Sequence, residues 1–284
     1  MQYGFVLPGG SATEQLEQAV LAEKAGWDGV FVWEAAYGVD AWTLLAGIAT
    51  RTTRIRLGTM LTPLPWRRPW KVASQVVTLD ALSGGRALLT VGLGAVDTQL
   101  GHTGEETSRS VRAELLDEGI DIITGLWQGR LDFQGRHHQV DLRVRRDLAD
   151  VARPVQHRIP VWVVGAWPRP RSMRRVLRCT GLVPVCMDGS GFRATTPADV
   201  RAMRAWLDER GAPDDLDIVM EGETPADDPA AAADVVAPWA AAGCTWWLET
   251  RWAMPHDSAE RMQQVHERLE AGPPAVSSRG GGYA

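Results

Sequence analysis

Short apolar runs and helical patterns alternate along this chain. The apolar runs are rich in valine, leucine, isoleucine and aromatic residues, which is typical of buried strands. Between them, apolar side chains recur every three or four residues, as one face of a helix requires. This alternation predicts a parallel sheet covered by helices rather than a sandwich. The predicted strands are residues 3–7, 29–33, 55–60, 87–91, 161–164, 182–185, 218–221 and 245–249.

Several predicted helices carry clear boundary signals. Ser11 and Glu14 have the spacing of a capping box, and Gly26 is placed to end the helix that they begin. Thr196 and Asp228 are each followed by proline, the combination of a cap residue with proline at the first helical position. The sequence therefore predicts helices after the first, sixth and seventh strands.

Residues 55–94 form one strand, loop, helix and strand without interruption. Prolines at positions 63, 65 and 69 cannot continue a central strand, so the first strand is expected to stop near Thr62. A helix is expected from Trp70 to the glycines at 84 and 85. Its apolar face consists of Val72, Val76, Leu79 and Leu82.

This unit carries the motifs RLGTM, TPLP, RRPWK, LSGGR and VGLG in that order. In this respect the chain resembles the bacterial-luciferase-like flavin oxidoreductases, and the resemblance extends over most of its length. It implies an α/β fold, a single eight-fold β/α (TIM) barrel that binds FMN or coenzyme F(420). We expect one domain over residues 1–272, an inserted hairpin and loop at about 128–158 before the fifth strand, and a flexible tail at 273–284.

Composition narrows the function classes. With 284 residues and a hydrophobic fraction of 45%, the chain can form one large core, and no apolar run approaches the roughly 18 residues that cross a bilayer. The net charge of −5 argues against a nucleic-acid surface. Three cysteines without metal-ligand spacing predict no metal site and suit a reducing compartment. Since no signal peptide is evident, we expect a cytoplasmic protein without nucleic-acid or membrane partners.

In a β/α barrel the residues that follow the strands form the active site. Met60 and Thr62 follow the third strand, and Gly92 and Gly94 follow the fourth, so all four are candidate cofactor contacts. We expect the two glycines to leave space for a flat ring. A tight turn is the alternative reason for glycine at these positions.

The loop after the fifth strand is a candidate phosphate site. Gly165 and Ala166 offer backbone N–H groups, Ser172 a hydroxyl at a helix start, and Arg169 a positive charge. An ordinary capped helix is the alternative interpretation. If the loop does not bind phosphate, residues 188–191 after the sixth strand are the next candidates.

The chain departs from the family pattern after the second strand. Similar proteins often have a histidine there, near the flavin, but this chain has Ala35 and Ala36. Glu34 or Tyr37 is the candidate for a catalytic polar role, and pairing of Glu34 with an arginine is an equal alternative. A histidine pair on the insert, His137 and His138, is a further candidate if the insert reaches the pocket as a lid.

Other side chains are expected near the strand ends. An aromatic rim that excludes water is predicted from Trp33, Trp66, Trp70, Trp167 and Trp252, whereas Trp162 is expected to fill the core. Glu221 and Glu249 end the last two strands. Two carboxylates there are compatible with a hydrolase, although pairing of these carboxylates with Arg251, or hydrogen bonding to the backbone, is the simpler interpretation.

Together the residues and the resemblance imply a flavin-dependent oxidoreductase, a monooxygenase that uses reduced FMN on a small organic substrate. The first alternative is a coenzyme F(420)-dependent oxidoreductase that transfers hydride. The second is a flavin-binding barrel without turnover, which the missing histidine suggests. A flavin reductase that supplies reduced flavin and a homodimer are the expected protein partners.

Overall fold

A computed structural model describes residues 1–96, 99–150, 152–252 and 259–274. At its centre, eight parallel strands form a ring, and each lies close to its predicted position. The strands are β1 (Gln2–Val6), β2 (Gly29–Val32), β3 (Arg56–Thr59), β4 (Ala87–Gly92), β5 (Val161–Trp167), β6 (Gly181–Met187), β7 (Asp217–Gly222) and β8 (Trp246–Glu249). Each strand pairs with the next, and β8 pairs with β1. The predicted closed α/β barrel is confirmed.

Side chains on alternate strand positions fill two cores. Inside the barrel, the rings of Phe31 and Trp162 stack with centroids 5.4 Å apart, and Trp246 meets Trp162 edge-on at 5.2 Å. A larger apolar cluster packs between the outer face of the strands and the helices. Because both faces of the sheet are buried, the strands are apolar almost throughout, which is why they are recognisable in the sequence.

Every barrel strand is followed by a helix in the described residues. The helices are α1 (Ala12–Lys24), α2 (Ala41–Arg51), α3 (Pro69–Ser83), α4 (Arg109–Trp127), α5 (Arg146–Asp150), α6 (Pro170–Val176), α7 (Pro197–Asp208), α8 (Pro229–Ala242) and α9 (Ala259–Glu270). The capping box of Ser11 with Glu14 is present, and Thr196 and Asp228 cap α7 and α8. Gly84 ends α3 in a left-handed conformation. Leu82 is exposed, so it is not part of the buried face of α3.

The predicted insert is present between α4 and β5. Its strands Asp132–Gln134 and Gln139–Asp141 form an antiparallel hairpin. The hairpin is fastened to α4 by Glu118, whose carboxylate accepts backbone N–H groups of Arg136, His137 and His138. The tail prediction concerns residues 273–284, of which 275–284 lie outside the described part of the chain. No helix in the described ranges is both long and apolar enough to cross a membrane.

At the carboxyl end of the barrel, a two-residue strand, Thr62–Pro63, adds to the outer end of β4. The chain between β3 and this short strand includes Met60, which is buried against the barrel interior. A single turn of 3-10 helix, Leu64–Trp66, then leads towards α3. The loop after β3 therefore folds over the strand ends, as the prolines indicated.

Candidate active site

Glu34 is the centre of a buried polar cluster just beyond β2. Its side chain is 6% exposed. Its Oε1 accepts hydrogen bonds from Thr62 Oγ1 at 2.5 Å and Trp42 Nε1 at 2.6 Å. The Arg67 guanidinium donates to Oε2 and also to Gln75. Burial raises the pKa of the Glu34 carboxyl, although the Arg67 charge and the hydrogen bonds oppose this rise.

This cluster joins two predicted site residues. Thr62 Oγ1 lies 2.9 Å from Thr59 Oγ1, so its hydroxyl is already engaged by Glu34 and Thr59. The alternative that Glu34 pairs with an arginine is therefore confirmed. Contact of Met60 or Thr62 with a cofactor stays a prediction, as does a catalytic role of Glu34.

Tyr37 and the two histidines do not join this cluster. Tyr37 is 91% exposed and makes no hydrogen bond to a described residue. His137 Nε2 lies 2.7 Å from a carboxylate oxygen of Glu114, and His138 Nδ1 lies 3.1 Å from one of Glu118. Both rings are therefore held against α4, and neither occupies the place of the missing histidine beside Glu34.

The glycines after β4 are surrounded by protein atoms. Gly94 has a φ of +77°, and a Cβ added there would lie 2.8 Å from Trp66 Cε3 and 2.9 Å from Pro63 Cβ. At Gly92 an added Cβ would lie 3.0 Å from Leu61 Cδ2 and 3.1 Å from Val164 Cγ2. At Gly94 the backbone turn and Trp66 are by themselves sufficient to require glycine, as the tight-turn alternative predicted, and space for a ring stays a prediction. Cofactor contact by either glycine remains a prediction.

The loop after β5 has mixed features as a phosphate site. Ser172 Oγ accepts a hydrogen bond from the backbone N–H of Ala166 at 2.9 Å. Both groups, which were expected to bind phosphate, are therefore bonded to each other. A Cβ on Gly165 would collide with Leu182, so that glycine is required by packing. Arg169 is exposed and makes no ion pair with a described residue, which leaves its charge available. Helix α6 is only seven residues long.

Two arginines at the start of α4 were missed by the sequence analysis. Arg112 is 6% exposed, and its Nη1 donates to the carbonyls of Leu93 at 2.9 Å and Gly94 at 2.8 Å, beyond β4. Arg109 Nη2 donates to Met187 Sδ at 3.4 Å, at the end of β6. Because β5 lies between β4 and β6, these guanidinium groups flank the carboxyl end of β5.

The Arg112 guanidinium has unused hydrogen-bonding capacity. Its Nε is buried and has no hydrogen-bond partner in the described structure. Burial and the neighbouring Arg109 lower the pKa of Arg112, while Glu106 opposes that shift. The Ser108 side chain at the N-terminus of α4 makes no capping bond. Buried charge, an unpartnered N–H and an uncapped helix start together favour an anion at this place.

The carboxylates that end β7 and β8 differ sharply. Glu249 is fully buried and accepts hydrogen bonds from the backbone and hydroxyl of Thr224, from Trp247 and from Arg251. Its predicted pairing with Arg251 is confirmed, and its oxygens are fully used. Glu221 is half-buried and, among the described residues, accepts one hydrogen bond, from Trp252 Nε1 at 2.9 Å. Two free carboxylates, as a hydrolase needs, are not present at these positions.

The aromatic residues near the mouth differ in exposure. Trp66 is buried, with its Nε1 donating to the Glu106 carbonyl and its ring beneath Arg112. Trp252 is 43% exposed, and the remaining members of the predicted rim, Trp33, Trp70 and Trp167, are half-buried. A separate groove of about 340 Å³ lies outside the barrel, between α3, α4 and the segment after the hairpin. Trp70, a member of the predicted rim, lines this groove.

Comparison with known proteins decides the family. A family profile described as luciferase-like monooxygenase matches residues 2–280. The chain belongs to the luciferase-like family. The predicted resemblance is thereby confirmed, and the protein is an enzyme of the oxidoreductase class. Similar proteins are named for coenzyme F(420), or their structures were solved with FMN bound.

Relatives of this luciferase-like chain are mostly named for coenzyme F(420). A putative coenzyme F420-dependent oxidoreductase of Mycobacterium tuberculosis is 29% identical over 68% of the chain and 54% of its own length. An F420-dependent glucose-6-phosphate dehydrogenase of Nocardia farcinica is 26% identical over 91% of the chain and 85% of its own length. The chain thus spans only about half of the first relative but most of the second.

Solved structures share the fold at low identity. An F420-dependent secondary alcohol dehydrogenase in complex with an F420-acetone adduct superposes with a TM-score of 0.73, at 17% identity, over 94% of this chain and 97% of its own. The oxygenating constituent of 3,6-diketocamphane monooxygenase from Pseudomonas putida, in complex with FMN, has a TM-score of 0.69 at 18% identity, over 97% and 98%. Both support the barrel fold.

Proposed function

We propose that the protein is a coenzyme F(420)-dependent oxidoreductase that transfers hydride between the deazaflavin and a small organic substrate. The observation that carries the proposal is the pair Arg109 and Arg112 beside the carboxyl end of β5. The relatives that match this chain support the same cofactor, because most of them are named for it.

The charge at this part of the mouth suits a strongly anionic cofactor. Arg169 and Arg171 are exposed and have no ion-pair partner in the described structure, and they lie on the loop and helix that Arg109 and Arg112 flank. Arg175 and Arg178, further along, are instead neutralised by Asp117 and other α4 carboxylates. Arg169 and Arg171 are therefore the unpaired arginines nearest the strand end. Coenzyme F(420) carries an acidic tail beyond its phosphate, whereas FMN ends at the phosphate.

The residues present fit such a group. The buried, unpartnered Arg112 Nε and the Arg109 guanidinium, which has no carboxylate partner among the described residues, would hold the phosphate, with Arg169 available to the tail. The ends of β3 and β4, including Met60 and Gly92, would lie against the ring. The bound deazaflavin supplies an acceptor or donor of hydride. The protein supplies charge neutralisation, an apolar barrel mouth and the buried Glu34 cluster that holds the β2 and β3 loops together.

The test compares three ligands of graded charge. Coenzyme F(420), FMN and riboflavin are titrated into the wild-type protein, and tryptophan fluorescence is followed. We expect F(420) to bind most tightly. The variant Arg109→Gln should lose F(420) and FMN affinity by roughly ten- to a hundred-fold, since a charge-assisted hydrogen bond contributes about 1.5–3 kcal/mol. Riboflavin affinity should stay unchanged.

Arg51→Gln is the matched control. Arg51 is the last residue of α2. It lies near the amino end of β3, at the end of the barrel opposite the candidate site, and its side chain is about half exposed. Its removal should change none of the three affinities. Equal weakening of riboflavin by Arg109→Gln would contradict a phosphate contact, and tighter binding of FMN than of F(420) would contradict the choice of cofactor.

A monooxygenase that uses reduced FMN is the second candidate. It is favoured by the description of the family profile and by the shared fold of the camphane monooxygenase component. This function would require a flavin reductase as a partner. Oxygen consumption with reduced FMN, but no reduction of F(420) by any substrate, would support it over hydride transfer.

A further inference from the structure

Glu221 stands on the interior face of the barrel at its carboxyl end. It lies two residues beyond Val219 and in register with Leu248 on β8. Both of these residues belong to the cluster that fills the barrel interior. Because strand side chains alternate between faces, Glu221 projects from the same face as Val219, at the end where the site forms.

Glu221 also differs from the other carboxylates at the mouth in its hydrogen bonding. Glu34 is held by three side-chain donors, and Glu249 by a network that includes Arg251. Within the described part of the chain, Glu221 accepts one bond only, from Trp252 Nε1. The other Glu221 oxygen is not among the buried atoms that lack a partner, so it is open to a donor on a ligand, whereas the oxygens of Glu34 and Glu249 are occupied by protein donors.

The strand side chains around Glu221 are apolar, and one of them, Met187, accepts a hydrogen bond from the Arg109 guanidinium. Val219 is buried on the same strand, and Leu248 and Met187 are buried on the two neighbouring strands. On β8 the Glu249 charge is neutralised by Arg251 and Arg268, and beyond β6 Asp188 is exposed. Glu223, on the same loop, lies 3.9 Å from Arg251. Burial raises the pKa of the Glu221 carboxyl, and the Trp252 hydrogen bond opposes this rise.

We propose that Glu221 is the base that accepts the hydroxyl proton of an alcohol substrate. The assignment rests on the proposed hydride-transfer function and extends it to a substrate class and a residue. The C–H bond at the alcohol carbon breaks and its electron pair passes, as hydride, to the oxidised deazaflavin. The O–H bond breaks, its proton passes to a Glu221 carboxylate oxygen, and its electrons form the carbonyl bond. The alcohol is oxidised by two electrons, the deazaflavin is reduced by two, and Glu221 returns the proton to water.

The experiment uses oxidised F(420) with propan-2-ol and cyclohexanol as probes. In the wild type, kcat/KM should rise with pH through one ionisation above the usual range of glutamate, because the base must be ionised. Glu221→Gln should lower kcat/KM by roughly 10²- to 10⁴-fold and abolish that pH dependence, while F(420) affinity stays unchanged. Trp252→Phe removes the donor that favours the ionised form, so it should move the pH limb upward.

Glu223→Gln is the matched control, since it removes a more exposed carboxylate on the same loop and should leave the profile unchanged. A second readout needs no turnover. Infrared difference spectra between wild type and Glu221→Gln should show a carboxyl band that titrates at raised pH and that moves when propan-2-ol is added.

The failures are distinguishable. If neither wild type nor variant binds F(420), the proposed function is refuted and this role falls with it. If F(420) binds but Glu221→Gln keeps the wild-type rate and pH profile, only the role of Glu221 is refuted. Bound F(420) with neither alcohol oxidised, and no effect of propan-2-ol on the carboxyl band, would refute the substrate class.

Discussion

Replacing Gly94 with alanine tests whether the turn after β4 is required by the fold or by a ligand. An alanine would have to adopt a φ of +77° and place its Cβ 2.8 Å from Trp66 Cε3. The Trp66 ring has little freedom to move, because its Nε1 is bonded to the Glu106 carbonyl at 2.8 Å and Arg112 covers its face. We therefore expect Gly94→Ala to lower the stability of the fold rather than the affinity for a cofactor.

The magnitude follows from two separate contributions. A left-handed conformation costs an L-residue roughly 1–2 kcal/mol, and overpacking costs about 1–3 kcal/mol. The free energy of unfolding should therefore fall by roughly 2–5 kcal/mol, which lowers Tm by on the order of 10 °C in a chain of this size. Gly84→Ala separates the two contributions, since Gly84 has a φ of +66° but no atom within 4 Å of an added Cβ. It should show the conformational cost alone.

The assay is thermal and denaturant unfolding of wild type, Gly94→Ala and Gly84→Ala, together with F(420) and FMN titrations of the folded proteins. We expect Gly94→Ala to be clearly less stable than Gly84→Ala. Equal stability of the two variants, combined with loss of cofactor binding in Gly94→Ala only, would refute the packing argument and restore the ring-space interpretation.

Two further changes test the buried carboxylates. Glu249→Gln should lower the free energy of unfolding by about 3–5 kcal/mol in denaturant titrations, because Arg251 and Arg268 lose a buried charge partner. Glu223→Gln, the control, should change the free energy of unfolding little. Equal effects of the two variants would contradict this reasoning. Glu118 is partly buried, which acts to raise its pKa, but hydrogen bonds from His137, His138 and Arg136 lower it overall. Ionised Glu118 therefore stabilises the hairpin fully at a pH above the ordinary glutamate pKa. This stabilisation is lost as the pH falls through the lowered pKa that Glu118 has in the folded protein. Amide protection factors of residues 132–141, which correct for the intrinsic pH dependence of exchange, should fall over that range in the wild type, and a Glu118→Gln variant with the same pH dependence would contradict the assignment.

The strands could be predicted because the physics that forms them is local in sequence. A strand buried on both faces is a short apolar run, and all eight runs were found near their true positions. Capping residues such as Ser11, Thr196 and Gly84 act within a few positions, so they too were identified. The resemblance to the family added the closure of the ring, which no local pattern specifies.

The site was predicted less well because its contacts are distant in sequence. Glu34 was found as the residue after a strand, but its bond to Arg67 spans 33 positions. Arg112 looks like any solvated helix residue in the sequence, and only the structure brings it to the Leu93 and Gly94 carbonyls. Likewise, Gly94 has the same pattern whether its neighbour is a flavin or Trp66. Sequence position thus located the mouth of the barrel but not the partners of its side chains.

Arg112 links the stability of this mouth to cofactor binding. Its guanidinium supports the turn at Gly94, lies over Trp66 and still has a buried Nε without a partner in the described residues. A buried charge that is incompletely hydrogen-bonded destabilises the unliganded protein, and an anion placed beside it removes part of that cost. A phosphorylated cofactor at a hundred times its Kd should stabilise the fold by about 2.7 kcal/mol from mass action alone. Since riboflavin lacks the phosphate, it should bind more weakly and raise Tm less at equal concentration. Equal shifts of Tm by FMN and riboflavin would show that Arg112 serves the turn only, and that the anion site lies elsewhere.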